Sequence, residues 1–161
     1  NISAAREDTG IMGCSMGGYG ALRCALTHPD SYGFVGAFSS GPLFAKAGMD
    51  EIKKYGDLPD YAERFGPRLI KDFKAIYGES LELTDDAEIL DMLLKVKAEN
   101  KLPRIYLTCG KDDAFMKEHE LFTGALDKMG IPYEFEKLEG AHEFQCFNEA
   151  LKRAIARFEG R

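Results

Sequence analysis

Thr9-Gly10-Ile11-Met12-Gly13-Cys14-Ser15-Met16-Gly17-Gly18-Tyr19-Gly20-Ala21-Leu22 decides the reading of this chain. Thr9 to Gly13 is short, apolar and glycine-bearing, and it predicts a buried strand. Gly17 to His28 predicts a helix, with Ala21, Leu22, Ala25 and Leu26 on one face. Pro29 stands just past its end, where a helix cannot continue. Between them, Gly13-Cys14-Ser15-Met16-Gly17 fits G-x-S-x-G, a pattern that lifts a serine on a sharp strand-to-helix turn. Such a turn needs a strained backbone at the serine. Side chains two residues before and after it are expected to clash, hence glycine at 13 and 17. The helix N-terminus also directs partial positive charge at any oxyanion formed beside the serine, with the Met16 N–H as the identifiable donor. The blander alternative is a glycine-rich turn whose serine only caps the helix.

Outward from the elbow, strands and helices alternate. Phe34 to Ser39 predicts a second buried strand, stopped by Ser40-Gly41-Pro42. Residues 43–80 mix glycine, proline and aromatics (Tyr55, Tyr61, Phe65, Phe73, Tyr77) and read as short helices and loops, a cap-like insertion. Those aromatics either line an acyl or aryl pocket or pack the short helices onto the core. Thr84-Asp85-Asp86 is expected to cap a helix burying Ile89, Leu90, Leu93 and Leu94. Arg104 to Cys109 predicts a third strand. A helix follows, with Leu121, Phe122, Ala125, Leu126 and Met129 inward, ended by Gly130. Tyr133 to Leu138 alternates charged and apolar residues, as an edge strand does. The last helix, Phe144 to Phe158, is expected to bury Phe147, Leu151, Ile155 and Phe158. Alternation of this kind implies one α/β domain over residues 1–161, a mostly parallel sheet covered by helices.

Composition bounds the function. The chain has 161 residues and a formal net charge of −6, with no basic cluster, which argues against a nucleic-acid partner. No apolar run reaches membrane-spanning length. Cys14, Cys24, Cys109 and Cys146 are far apart and form no CxxC pair. They read as reduced thiols, which favours a cytoplasmic setting. The sequence opens on Asn1 and reaches its first strand almost at once, which reads as part of a longer protein.

A serine nucleophile needs a base and an acid to orient it. There are three histidines. His28 lies at a helix end and reads as a C-terminal cap. His119 lies in Lys117-Glu118-His119-Glu120, a charged run expected to face solvent. His142 lies in Gly140-Ala141-His142-Glu143, the loop after the last strand, where a base would come last in the order Ser, acid, His. The acid is expected in the turn Gly110-Lys111-Asp112-Asp113. Either aspartate could serve there, and either could cap the next helix.

These segments resemble the esterase D-like group of α/β hydrolases, especially its tributyrin-type and feruloyl-type esterases. The resemblance is carried by Arg6-Glu7-Asp8-Thr9 with the elbow, by His28-Pro29-Asp30, and by Phe38-Ser39-Ser40-Gly41. It continues through Leu102-Pro103-Arg104-Ile105-Tyr106, Cys109 to Asp113, and Gly140 to Phe144, where Ala141 replaces the second glycine of the family's G-G-H segment. It implies a carboxylic ester hydrolase working through an acyl-serine. Ser15 would be nucleophile, His142 base and Asp113 the acid, being third after the glycine; no metal or organic cofactor would be needed. The substrate implied is a small-molecule or sugar-linked ester. The family pattern places further strands, and a second oxyanion donor, before the nucleophile strand. The resemblance therefore implies the C-terminal portion of such a domain. The alternative expectation is a catalytically incomplete fragment or a non-catalytic binding scaffold, dependent on a complementing N-terminal half or on self-association.

Overall fold

A computed structural model describes residues 3, 5–56, 58–60 and 67–160. The expected aromatics Tyr61 and Phe65 lie outside the described residues. Four strands, β1 (Gly10–Cys14), β2 (Phe34–Phe38), β3 (Arg104–Gly110) and β4 (Glu134–Leu138), form one parallel sheet in the order β1-β2-β3-β4. The register runs Cys14↔Phe38↔Thr108 across three strands. All strands point the same way, so the turns at their C-terminal ends gather at one edge, where open α/β sheets build their sites.

Strand alternation sorts the core into two faces. Val35, Ala37, Ile105 and Leu107 point to one side. There they meet Leu22 and Leu26 of α1 (Met16–Thr27), Leu93 of α4 (Ile89–Ala98), and Phe122 and Leu126 of α5 (Met116–Met129). Phe34, Phe38 and Tyr106 point to the other side, against Cys146, Ala150 and Ala154 of α6 (Phe144–Glu159). At the opposite end of the sheet Arg6 ties three carbonyls together. Its guanidinium donates to Pro29 O at 2.6 Å, Lys101 O at 2.9 Å and Leu102 O at 3.0 Å.

The described part of residues 43–80 is more regular than its composition predicts. Among the described residues there are two 11-residue helices, α2 (Ala45–Tyr55) and α3 (Pro67–Tyr77). Met49, Ile52, Ile70, Phe73 and Leu81 form a small core of their own there, and Tyr77 stacks on Phe73.

Several predicted faces are corrected. The last helix buries Cys146, Ala150 and Ala154, spaced by four, while Leu151 and Ile155 stay 42% and 41% exposed. Small side chains let α6 lie close on the sheet, and the large ones flank the contact. Leu94 and Leu121 are likewise exposed. Thr84 to Asp86 does not cap α4, which starts at Ile89 after Glu88. The Asp86 carboxylate is held instead by Arg23, at 2.6 Å. β1 is an edge strand, half-buried rather than buried, with β2 as its neighbour among the described residues. Cys109 and Cys146 are buried, and all four thiols are free. Among the described residues, no helix is long and apolar enough to cross a membrane.

Candidate active site

Ser15 occupies the turn between β1 and α1 with φ 55° and ψ −128°, a conformation that side chains adopt at a cost of about 1–3 kcal/mol. The surroundings hold it there. Its N–H donates to Phe38 O at 2.9 Å, and its carbonyl accepts from Gly18 N–H at 3.0 Å and Gly41 N–H at 3.4 Å.

The glycine requirement differs from the predicted one. A Cβ at Gly13 would lie 2.2 Å from Gly17 O, so glycine is needed at 13. A Cβ at Gly17 meets nothing within 4 Å among the described residues, whereas one at Gly18 would lie 1.8 Å from Ser40 Oγ. The second steric demand thus sits at 18, where α1 crosses the turn after β2.

The loops after β3 and β4 are locked backbone to backbone. Lys111 N–H donates to Leu138 O at 2.8 Å and Asp112 N–H to Gly140 O at 3.0 Å. A Cβ at Gly110 would meet Gly140 O at 2.4 Å. This close approach aims two side chains at the elbow. His142 Nε2 lies 3.0 Å from Ser15 Oγ, and His142 Nδ1 lies 3.0 Å from Asp113 Oδ2. The carboxylate can only accept, so Nδ1 carries the proton and the Nε2 lone pair faces the serine hydroxyl. Asp113 Oδ1 accepts from Phe115 N–H at 2.9 Å. The Asp113 side chain is fully buried, while Asp112 is exposed. The geometry therefore selects the second aspartate for contact with His142.

Other contacts were not anticipated. The His142 ring lies between Phe115, at 5.3 Å between centroids, and Phe147, at 5.1 Å and edge-on. His119 is 0% exposed, which corrects its expected place on a solvated face. The signal was present: His119, Phe122 and Leu126 share the inward stripe of α5, at i, i+3 and i+7. Burial pushes its pKa down and that of Cys109 up to about 12. His28 caps the C-terminus of α1 through its backbone and is exposed.

Beside Ser15 opens a cavity of about 660 Å³. Met49, Ile52, Ile70 and Phe73 of α2 and α3 form its apolar wall, and Pro42 and Phe115 face them. Phe73 thus serves both the local core and the pocket. Met16, the first residue of α1, also borders it, with an amide that has no i−4 partner inside the helix. Among the described residues no group of three His, Cys, Asp or Glu side chains could hold a metal ion.

Residues 1–158 match the family described as "Putative esterase". The chain belongs to this esterase family. An acetyl esterase of Caldicellulosiruptor saccharolyticus is 32% identical over 158 residues, covering 96% of this chain and 55% of the relative. Among solved structures, the fluorophosphonate-binding serine hydrolase F of Staphylococcus aureus, with substrate bound, superposes with a TM-score of 0.74 at 30% identity. It is covered over 97% of this chain and 56% of its own. The S-formylglutathione hydrolase of Staphylococcus aureus superposes with a TM-score of 0.70 at 28% identity, covering 97% of this chain and 56% of that one. The chain spans just over half the length of these esterase-family relatives.

Proposed function

We propose that the protein carrying this chain hydrolyses carboxylic esters through an acyl-serine intermediate. The observation that carries the reading is the continuous row Asp113–His142–Ser15, with both links at 3.0 Å. In it Ser15 Oγ attacks the ester carbonyl as His142 Nε2 takes its proton. Asp113 keeps the Nδ1–H tautomer and stabilises the imidazolium. The Met16 N–H faces the developing oxyanion at the helix N-terminus. His142 then protonates the departing alcohol, and water attacks the acyl-serine by the same path reversed. The apolar cavity beside Ser15 would take the acyl group, and the substrate class is a small-molecule or sugar-linked ester. The reading uses no metal or organic cofactor. Because the chain spans about half of its relatives' length, the activity is proposed for the full protein. The test is Ser15→Ala in that protein, assayed with p-nitrophenyl butyrate. Turnover is expected to fall by on the order of 10⁶, and a variant that keeps wild-type turnover overturns the reading.

A further inference from the structure

We propose that Glu118 and His119, neighbours at the start of α5, form a clasp that positions the strap of residues 40–44 against the nucleophile and the pocket. The strap lies outside regular structure, so its amides need partners from elsewhere. Ser40 N–H donates to His119 Nε2 at 3.2 Å. Leu43 N–H donates to Glu118 Oε1 at 2.5 Å. Two amides of one five-residue segment are thus received by two consecutive side chains.

The chemistry of His119 is narrowly determined. Ser40 offers a donor, so Nε2 must accept and the proton must sit on Nδ1, 3.1 Å from Phe115 O. The ring is stacked on Phe135 of β4, 6.0 Å away, with no exposed surface. A second proton would set Nε2–H against Ser40 N–H.

The strap matters because of what it touches. Gly41 N–H donates to the carbonyl of Ser15. Ser40 fills the space that Gly18 leaves for it. Gly41 is packed on the Phe115 ring, which also lies against His142. Gly41 and Pro42 border the cavity. His119 therefore holds both halves of the site in register, the nucleophile's backing through Ser40 and the base's packing through Phe115. In this role it is a positioning residue, since it reaches neither Ser15 Oγ nor the pocket itself. The kinetic consequence rests on the ester-hydrolysis reading above; the hydrogen-bond assignment does not.

The test uses the full protein with His119→Phe, His119→Gln and Glu118→Gln. Each is assayed for kcat and KM on p-nitrophenyl butyrate and for the rate at which a fluorophosphonate labels Ser15, normalised to the folded fraction. His119→Phe keeps the ring and loses the acceptor. It is expected to lower kcat/KM and the labelling rate together by about 10²-fold, the scale of an ångström of misplacement. His119→Gln places an oxygen near the Nε2 position and is expected to restore most of both. Glu118→Gln, which keeps an acceptor for the Leu43 amide at the pocket rim but removes its charge, is expected to raise KM more than it lowers kcat. If folded His119→Phe labels at the wild-type rate, the clasp is only a stabilising contact and the proposal fails. A readout that needs no variant is ¹⁵N-histidine NMR of the wild type at neutral pH. His119 is expected as the Nδ1–H tautomer, with a Ser40 amide protected from exchange, and an Nε2–H tautomer overturns the proposal. Retained turnover in Ser15→Ala would sink the ester-hydrolysis reading while leaving the tautomer result standing.

Discussion

Asp112 and Asp113 are adjacent and chemically identical, yet one is exposed and the other has a fully buried carboxylate between two donors. The difference comes from the Asp112 backbone. Its N–H is committed to Gly140 O, which turns the next residue inward toward His142. Asp113→Asn keeps the shape and removes the charge that fixes the imidazole tautomer. It is expected to lower kcat by about 10⁴-fold, whereas Asp112→Asn leaves kcat at the wild-type value, both read with p-nitrophenyl butyrate. Position in the chain had left the two open, because both lie in the same turn after β3. The family resemblance pointed to the second, and burial supplies the physical reason.

At the scale of elements, α1 crosses the sheet at the elbow, and its glycines show how closely. Gly18 faces Ser40 on the turn after β2, whereas the space at Gly17 is open among the described residues. Gly18→Ala must push Ser40 or the helix aside and is expected to cost about 1–3 kcal/mol in urea unfolding. Gly17→Ala is expected to be neutral or to stabilise by about 0.4–1 kcal/mol, since it only removes freedom from the unfolded chain. The predicted pattern was right about the turn and wrong about which second glycine is crowded. A short sequence pattern encodes the bend, but the neighbour that crowds it comes from 22 positions away in the chain, as the numbers 18 and 40 show. Helix faces went astray for a related reason. In α6 the alanine and cysteine stripe wins the sheet contact from the larger leucine and isoleucine, because close approach buries more backbone and strand surface than a bulky side chain would permit.

For the whole molecule, buried ionisable groups make stability depend on pH. His119 is held below its ordinary value of 6.5, chiefly by burial. Below pH 6.5 the unfolded chain takes up a proton that the folded chain refuses, so its contribution is present above that value and is lost as pH falls toward the folded-state pKa. Glu88 and Glu118 are raised from 4.5, again chiefly by burial, and act in the opposite sense: the folded chain holds their protons longer as pH rises from 4.5. The His119 part is therefore read as a difference between proteins. Chemical unfolding from pH 7 to pH 5 is expected to show a steeper loss of stability in the wild type than in His119→Gln, by at most about 1.4 kcal/mol per pH unit. Parallel curves would show that His119 takes up its proton without cost.

The sequence by itself determined the order of elements, the elbow at Ser15, the loop that bears His142 and the parallel α/β class. Each of these is local: a run of apolar residues, a glycine turn, a helix stop. The resemblance had named Asp113, but only the tertiary structure showed that Asp113 rather than Asp112 meets His142, and that Phe115 and Phe147 hold its ring. It alone showed that His119, set in a run of charges, is buried under the strap behind Ser15. Those outcomes depend on which distant backbone atoms lack partners, and that is settled when the strands align and the loops at their C-terminal ends are pressed together.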